Sequence, residues 1–293
     1  MVKRIRFFAL RGMVLMVMLL HLQLDAQNIT RPPVWGIAKM TYLVSDLQLT
    51  QNYFGDFLGF EQAFSYPSGQ GKVVSYKVND RQFLEFIEDE NARNKNRLVS
   101  VSFETDELQK MKEFLHDKGI EITTDIHVDG AGNQVFIVHD PSGVPIEYIQ
   151  FDNQSLHSRS KGKYLSEKRI SKRIHHVGLY TEQVKKNDRF YKEILGFKEM
   201  WRMDENDEAT TNFIYLHMPE CVENIEYYVA TDQNVSHPCF LVDDMQETIY
   251  TLKERKGEHK LANPMIGKGR RWLLNLRNTD GIKVEFTEAY TVR

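Results

Sequence analysis

The chain has 293 residues, of which 41% are hydrophobic and 27% are charged, a composition typical of globular proteins that can bury a sizeable core. A formal net charge of −3 and an isoelectric point near 6.4 exclude the strongly basic surface on which nucleic-acid binding depends. The two cysteines, Cys221 and Cys239, are too few for a disulfide framework. We expect both to be unpaired, and the alternative is that they pair in an oxidising compartment.

The first 26 residues have the pattern of a secretory signal peptide. Four basic residues between positions 3 and 11 precede the apolar run MVLMVMLLHLQL at 13–24, and the small residue Ala26 marks a cleavage point. The run is short for a bilayer span, although an uncleaved anchor is the alternative. Cleavage would change the net charge from −3 to −6, since residues 1–26 contain four basic residues and Asp25. We therefore expect a secreted or periplasmic protein without a nucleic-acid partner, and without a membrane partner after cleavage.

The rest of the chain repeats itself. IAKMTYLVSDLQLTQNYFGDFLGF at 37–60 and IHHVGLYTEQVKKNDRFYKEILGF at 174–197 share a strand-like start, a polar turn, an amphipathic stretch and a final Leu-Gly-Phe. Further along, HDPSGVPIEYIQF (139–151) parallels NTDGIKVEFTEA (278–289), which aligns Glu147 with Glu285. An offset of 137 to 138 residues is thus kept along the chain. It predicts two copies of one module, at 34–151 and 174–290.

Each module is expected to contain the order βαβββ twice. In the second module we predict, in chain order, strand RIHHVGLY, helix 184–195, strands around 198–203, 211–217 and 223–229, strand SHPCFLV, helix 245–256, and strands LLNLRN and KVEFTE. The last two strands flank Thr279-Asp280-Gly281, and Asp-Gly between alternating strands predicts a hairpin. Gly59 and Gly196 follow the first helix of each module, where a glycine C-cap is typical.

Between the modules lies the polar segment 152–173, DNQSLHSRSKGKYLSEKRISKR. Its many serines and basic residues predict an interdomain linker. The alternative is a partly helical strap that packs on the modules.

The organisation resembles the vicinal oxygen chelate (VOC) superfamily, which includes glyoxalase I, type I extradiol ring-cleaving dioxygenases and fosfomycin-resistance proteins. The resemblance is carried by HVGL at 176–179, FYKEILGF at 190–197, HPCFLVDD at 237–244 and DGIKVE at 280–285, with their counterparts in the first module. It covers residues 34–290 and implies an α+β fold, in which each tandem module is a pair of βαβββ units that form an open cup-shaped mixed sheet. It leaves the reaction open, since the superfamily includes isomerases, lyases, epimerases, transferases and oxygenases.

The resemblance also implies a metal site inside the second cup. Members place ligands on the first strand of each unit and on the last strand, where this chain has His176, His237 and Glu285. Two imidazoles and one carboxylate make a facial triad that leaves positions open for substrate. Glu226 is the fourth candidate, because glyoxalase-like members have a ligand there and extradiol-like members have a second-sphere catalytic residue. We expect one divalent ion, Fe, Mn, Zn or Ni; for each histidine alone, the alternative is a structural role.

In the first module the four ligand positions hold Lys39, Ser100, Glu147 and Glu85. An ammonium has no lone pair and a hydroxyl is a poor ligand, so we expect no metal in the first cup. Two-domain extradiol dioxygenases have a similar arrangement. We expect Lys39 to form a buried ion pair with Glu85 or Glu147 in place of the metal.

The alternation of side chains along a strand predicts which further residues face into the second cup. Cys239 and Tyr228 should face inward with His237 and Glu226, whereas His175 should point into the layer behind the cup. Asn275 and Arg277 are on the strand that pairs with the one carrying Glu285, and the loop GKGRRW at 267–272 is a candidate cover of the cup mouth.

Two further residues are catalytic candidates beside Glu226. Arg271, together with Arg202 and Arg270, is a candidate for holding an anionic or enolate oxygen, with surface ion pairing as the alternative. His217 is the one other histidine in the middle of the second module.

The sequence therefore predicts a secreted, divalent-metal-dependent enzyme that acts on a small substrate with vicinal oxygens and is extradiol dioxygenase-like in architecture. One alternative is a glyoxalase-like lyase or isomerase with a His-Glu-His-Glu site. Another is a non-catalytic protein that binds small molecules. Homodimer formation is left open.

Overall fold

Each half of the chain folds into one eight-stranded mixed sheet that curls around a concave face. The computed structural model describes residues 30–69, 71–203, 213–230 and 232–292, and the residues from Pro32 onward form one compact unit. The signal peptide predicted at 1–26 lies outside the described residues.

The first sheet has the order β2-β3-β4-β1-β5-β8-β7-β6. Its strands are β1 (Gly36–Val44), β2 (Glu61–Ser68), β3 (Gly71–Lys77), β4 (Phe83–Glu88), β5 (Leu98–Glu104), β6 (His127–Val128), β7 (Gln134–His139) and β8 (Pro145–Gln150). β1 pairs in parallel with β4, β5 pairs in parallel with β8, and the two central strands β1 and β5 are antiparallel.

The second sheet repeats this arrangement in the order β10-β11-β12-β9-β13-β16-β15-β14. Its strands are β9 (Ile174–Thr181), β10 (Lys198–Arg202), β11 (Phe213–His217), β12 (Asn224–Val229), β13 (His237–Val242), β14 (Met265–Ile266), β15 (Trp272–Arg277) and β16 (Lys283–Glu288). β9 and β13 are the central antiparallel pair.

One helical segment follows the first strand of each βαβββ unit. The segments are α1 (Leu47–Thr50), which continues as a π-helix over Gln51–Phe57, α2 (Leu108–Asp117), α4 (Val184–Asp188), which continues as a π-helix over Arg189–Ile194, and α5 (Met245–Arg255). Short 3₁₀ turns lie at Ala92–Asn94 and Gln233–Val235. Among the described residues, no helix combines the length and the apolar character that a membrane crossing requires.

The hydrophobic core lies between these helices and the side of each sheet that faces away from the cup. In the first module the ring of Phe54, in the π-helix, is 4.4 Å from the ring of Phe86 on β4. In the second module Tyr191 stacks on Tyr227 of β12 with ring centroids 5.6 Å apart. Since Phe86 and Tyr227 each follow a glutamate that faces the cup, strand alternation separates an apolar helix-covered face from a polar concave face.

Two aromatic pairs join the modules. Phe60 packs against Phe240 with ring centroids 5.1 Å apart, and Phe103 packs against Phe197 at 6.0 Å. Phe197 is the repeat counterpart of Phe60, and Phe240 is that of Phe103. The two contacts are thus copies of one contact, related by the internal repeat.

The segment at 152–173 packs on the first module. It contains a short helix, α3 (Leu156–Arg159), and its residues Ser155, His157, Ser160 and Ser171 are buried. Nε2 of His157 is 3.2 Å from a carboxylate oxygen of Glu85. The strap that was the alternative at this position therefore describes the segment better than a free linker.

The predicted order βαβββ is confirmed in all four units, as is the α+β fold with tandem cups. The predicted helix at 184–195 is split into α4 and a π-helix, and the predicted strand at 211–217 is described only from Phe213 onward. Gly59 and Gly196 follow the helices with φ of +79° and +71°, the left-handed conformation in which a glycine C-cap is favoured.

Candidate metal centre

The register of four neighbouring strands brings the predicted ligands together. His176 on β9 is opposite Cys239 on β13, and Cys239 is opposite Glu285 on β16. His237, two residues before Cys239, is opposite Gly178. On the other side of β9, Gly178 is the register partner of Glu226 on β12. Four side chains from four strands therefore converge on the concave face, as predicted.

The donor atoms lie close enough to share one ion. Nε2 of His176 is 3.6 Å from Oε1 of Glu285, and Nε2 of His237 is 3.6 Å from Oε2 of the same carboxylate. Ligand atoms of His176, Glu226 and His237 lie within 4.8 Å of one another. Two ligands about 2.1 Å from one ion and at right angles are about 3 Å apart, so small rotations would bring the donors into coordination.

Two buried nitrogens test whether these residues fit a metal ion. Nε2 of His176 and Nε2 of His237 are both buried without a hydrogen-bond partner, and leaving such a group unsatisfied is costly. Nδ1 of His237 is 2.8 Å from the carbonyl oxygen of Val235, which can only accept, so the Nε2 lone pair is free. A cation between the imidazoles would satisfy both nitrogens, and the residues fit a divalent metal.

Burial sets the protonation of the cluster. It lowers the pKa of His176 and of His237, which keeps both imidazoles neutral and able to donate a lone pair. Burial, together with the charge of Glu285, raises the pKa of Glu226 to about 8. Two neighbouring carboxylates resist full ionisation without a cation between them.

Gly178 provides the space for the ring of His237. A Cβ at Gly178 would lie 2.3 Å from Cε1 of His237. The counterpart in the first module is Thr41, which faces Ser100 instead of a histidine. The missing side chain at position 178 is therefore part of the site.

A cavity of about 220 Å³ opens above the ligands. Its walls include two stacked aromatic pairs, Trp201 with Tyr215 at 5.4 Å and Phe213 with Tyr228 at 5.1 Å between ring centroids. Between such walls a planar molecule can lie flat with its edge towards the ligands.

Three cationic side chains line the same cavity: Lys268, Arg271 and Lys283. Nζ of Lys283 is 3.2 Å from Oε2 of Glu285, and Nζ of Lys268 lies 4.1 Å from the ring centre of Phe213. Within the described part of the chain, neither Lys268 nor Arg271 forms an ion pair with a carboxylate. These charges favour an anionic ligand.

The prediction that His175 points behind the cup was wrong. The pairing of β9 with β13 shifts register between Cys239 and Phe240, whose partners are His176 and Ile174, so His175 is the extra residue of a β-bulge. Its Nε2 accepts a hydrogen bond from Arg271 at 2.9 Å and lies 3.2 Å from the hydroxyl of Tyr215. Because of the bulge, both consecutive histidines contact residues that line the cavity.

The other predicted residues are divided between the cavity and the surface. Tyr228, Asn275 and Arg271 line the cavity with the predicted loop, of which Gly267, Lys268 and Gly269 also contribute. Arg202 pairs instead with Asp188 and Glu199, and the exposed Arg270 and Arg277 do not line the cavity. Nor does His217, whose Nδ1 is 3.2 Å from Oδ1 of Asn224. The structure therefore does not bring His217 to the reacting end of the cavity.

A lysine ammonium lies in the first cup at the position that corresponds to the candidate metal centre of the second cup. Nζ of Lys39 is 2.8 Å from Glu85 and 3.4 Å from Glu147, so the expected ion pair includes both carboxylates. The hydroxyl of Tyr66 donates to Glu85 at 2.9 Å. Around these residues the first cup opens into a cavity of about 500 Å³.

Sequence reasoning missed several residues of the second cavity. Lys283 could have been found, because it precedes Glu285 by two residues on one strand and must face the same side. Trp201, Phe213 and Tyr215 lie on the outer strands β10 and β11, where no motif residue indicates which side of the strand faces the cup.

The comparisons with known proteins agree with this architecture. The pattern of the Glyoxalase/Bleomycin resistance protein/Dioxygenase superfamily matches residues 36–148 and 173–286. No curated protein sequence matches the chain.

Three solved structures are similar in fold. The 2,3-dioxygenase LapB from Pseudomonas sp. KL28 is 16% identical, with a TM-score of 0.71 over 90% of this chain and 96% of that one. A Mn(II)-bound glyoxalase from Novosphingobium aromaticivorans is 15% identical, with a TM-score of 0.68 over 88% and 83%. Homoprotocatechuate 2,3-dioxygenase from Brevibacterium fuscum, in complex with 3,4-dihydroxyphenylacetate, is 19% identical, with a TM-score of 0.66 over 88% and 82%. Since the sequence pattern matches both modules, the chain belongs to the Glyoxalase/Bleomycin resistance protein/Dioxygenase superfamily.

Proposed function

We propose that the chain is a secreted, divalent-metal-dependent enzyme that binds a small anionic substrate through two neighbouring oxygens and moves a proton with Glu226, as a glyoxalase-like lyase or isomerase. One observation carries the proposal. The partnerless Nε2 atoms of His176 and His237 lie 3.6 Å from the two oxygens of Glu285, within one buried cluster.

His176, His237 and Glu285 would hold the ion. Glu226 would be a fourth ligand, or would leave the ion when substrate binds. When bound, a divalent ion acts as a Lewis acid on the substrate oxygens and makes a neighbouring C–H or O–H more acidic. Glu226 lines the cavity with its carboxylate at the ligand cluster, where it can accept that proton and return it elsewhere. The ammonium of Lys283 is positioned to keep Glu285 ionised.

The walls of the cavity suggest the shape and charge of the substrate. Arg271 donates a hydrogen bond to His175. Because burial lowers the pKa of His175 to about 3, this partner is a neutral imidazole, and the charge of the guanidinium stays available to an anionic substrate. Arg271 and Lys268 then suit a carboxylate or a similar group at the outer end of the substrate. The stacked aromatic pairs suit a flat body between the two ends.

A ring-cleaving dioxygenase is the second candidate function, favoured by the aromatic walls of the cavity. Tandem architecture does not separate the two functions, because a dioxygenase and a glyoxalase both match along most of this chain. Glu226 favours the first candidate, since a carboxylate at this position can serve as the base of an isomerase or lyase.

Metal content tests the common part of both candidates. The purified chain, stripped with a chelator and reloaded with Mn²⁺, should bind one ion. His176→Ala and His237→Ala should bind on the order of a hundredfold more weakly, whereas His116→Ala, at an exposed histidine of α2, should bind like the wild type. Unchanged Mn²⁺ affinity in His237→Ala would overturn the proposal.

The reaction assay separates the two candidates. The Mn²⁺ and Fe²⁺ forms should isomerise or cleave thiol adducts of α-ketoaldehydes without consuming oxygen, and Glu226→Gln should lose this activity by at least about 100-fold while it still folds. Oxygen uptake with catechols that survives in Glu226→Gln would instead establish the dioxygenase.

A further inference from the structure

A cysteine on the central strand β13 is the register partner of two candidate ligands on the neighbouring strands. The Cα of Cys239 pairs with that of His176 on one side and with that of Glu285 on the other. The side chain is fully buried and, two residues after His237 on β13, faces the concave side. The sulfur, a nitrogen of His176 and a carboxylate oxygen of Glu285 lie within 4.8 Å of one another.

The first module shows what a side chain at this position can reach. Ser102 is the counterpart of Cys239, and its hydroxyl donates to Glu147, the counterpart of Glu285, at 2.6 Å. A side chain of this length therefore reaches the carboxylate when the strands have this register. The cysteine replaces that hydroxyl with a group that can bind metal.

The shared histidine offers an independent sign of a ligand. His176 is 3% exposed, and its Nε2 has no hydrogen-bond partner. His176 belongs both to the set with Glu226 and His237 and to the set with Cys239 and Glu285. The same imidazole can therefore serve an ion in either of two donor sets.

We propose that Cys239 is a thiolate ligand in a second donor set, His176–Cys239–Glu285, which takes thiophilic divalent ions such as Zn²⁺, Cd²⁺ and Co²⁺. It rests on the proposed function, because both sets share His176. Sulfur ligands select such ions, whereas oxygen-rich sets suit Mn²⁺. When the bond to sulfur forms, the thiol proton passes to solvent and no other bond breaks.

The distances permit this set after a small adjustment. Zn–S bonds are about 2.3 Å and Zn–N or Zn–O bonds about 2.1 Å, so two tetrahedral ligands of these kinds are about 3.6 Å apart. Donors that lie within 4.8 Å reach this spacing by movements of about 1 Å. Rotation about χ1 of Cys239 and the χ angles of Glu285 can supply them.

Cobalt(II) provides the direct test. The metal-free chain should bind one Co²⁺ and develop the strong ultraviolet charge-transfer absorption of a thiolate–cobalt bond. Cys239→Ser, which introduces the residue type of the first module, should bind Co²⁺ without this absorption. Cys221→Ser should keep the absorption, since Cys221 is not part of either donor set. The Cys239→Ser variant should also weaken Cd²⁺ binding by about tenfold or more and Mn²⁺ binding by much less.

X-ray absorption at the zinc edge identifies the atoms bound to Zn²⁺ in the wild-type chain, so this test does not depend on whether a variant folds. One sulfur scatterer at about 2.3 Å supports the proposal. Binding of one Zn²⁺ with only nitrogen and oxygen neighbours, or of one Co²⁺ without charge-transfer absorption, would overturn the thiolate ligand and leave the proposed function intact. Failure of the wild type to bind Mn²⁺, Co²⁺ and Zn²⁺ would overturn both.

Discussion

Gly178 shows how one missing side chain shapes the site. Its Cα lies between the register partners Glu226 and His237, so it separates two candidate ligands on adjacent strands. An added Cβ would lie 2.3 Å from Cε1, 2.8 Å from Nδ1 and 2.9 Å from Nε2 of His237. Since real Cβ atoms do not approach a ring this closely, the imidazole of any variant must move.

We predict that Gly178→Ala weakens Mn²⁺ binding about 10- to 100-fold, because the displaced imidazole loses its position against Glu285 and the carbonyl of Val235. Titration of the metal-free protein measures the effect. Gly69→Ala is a matched control, since an added Cβ there meets no atom within 4 Å. Equal affinities in the two variants would show that the ring of His237 does not need this space.

The ligands themselves were predictable at the residue scale, because the resemblance to the VOC superfamily implied their positions on the first strand of each unit and on the last strand. His176, His237, Glu226 and Glu285 meet as the sequence predicted. The partners that hold them were not predictable. The contact of Nδ1 of His176 with Tyr215, at 3.4 Å, depends on the register of an outer strand that no motif fixes.

At the scale of elements, a β-bulge in β9 explains why simple alternation failed. Alternation predicts that His175 and His176 face opposite sides, but with the extra residue at 175 both histidines contact residues that line the cavity. The first module has a bulge at the same place, where the partners shift between Ile37 and Lys39. There the extra residue is Ala38. A small apolar residue does not distinguish a bulge from a regular strand in the sequence.

The first cup combines strands of the first module with a residue from the segment that the sequence predicted to be an interdomain linker. Strands β1, β4 and β8 supply Lys39, Glu85 and Glu147, and the segment after β8 adds His157, which contacts Glu85. The ring of His157 packs edge-on against Phe83 at 4.6 Å. The serines and basic residues of this segment predicted an interdomain linker, with a packed strap as the alternative, and composition could not show that one of its histidines enters a polar cluster.

In this cluster we predict that Lys39→Met lowers the free energy of unfolding by about 3–5 kcal/mol, because two buried carboxylates lose their shared cation. Denaturant unfolding at pH 7 measures the loss. The triple variant Lys39→Met, Glu85→Gln, Glu147→Gln should regain much of it, since the two carboxylates nearest to Lys39 are then neutral and the third, Asp129 at 3.8 Å, still accepts hydrogen bonds from Asn133. A single variant as stable as the wild type would mean that Lys39 does not balance these carboxylates.

At the scale of the whole molecule, the turn before the last strand of each module docks on the other module. Oδ2 of Asp140 accepts hydrogen bonds from Asn187 at 3.1 Å and from Tyr191 at 2.9 Å, both in the second module. In the opposite direction, Asp280 accepts from Ser45 and pairs with Arg93 at 3.0 Å in the first module. The internal repeat predicted two modules, but it carried no information on which surfaces meet, because these polar contacts differ between the two turns.

The buried Asp140 should make the joint between the modules sensitive to pH. Burial raises its pKa to about 6 despite hydrogen bonds from Val144, Tyr191, Ser142 and Asn187. The folded chain therefore holds this proton more tightly than the unfolded chain, where an aspartate pKa is about 3.9. The contribution of the protonated group to stability is fully present below about pH 3.9 and is lost as the pH rises through about 6.

Asp140→Asn removes this titration. Its counterpart in the second module is already an asparagine, Asn278, whose Oδ1 accepts from Ile282 at 2.8 Å as Oδ1 of Asp140 does from Val144 at 2.9 Å, so the turn tolerates the amide. Two pKa units correspond to about 3 kcal/mol. Relative to Asp140→Asn, the wild type should therefore lose up to about 3 kcal/mol of unfolding free energy between pH 4 and pH 7, as measured by denaturant unfolding across this range. Parallel stability curves for the two proteins would show that Asp140 has the same proton affinity in the folded and unfolded chain, and that the joint between the modules does not respond to pH through this residue.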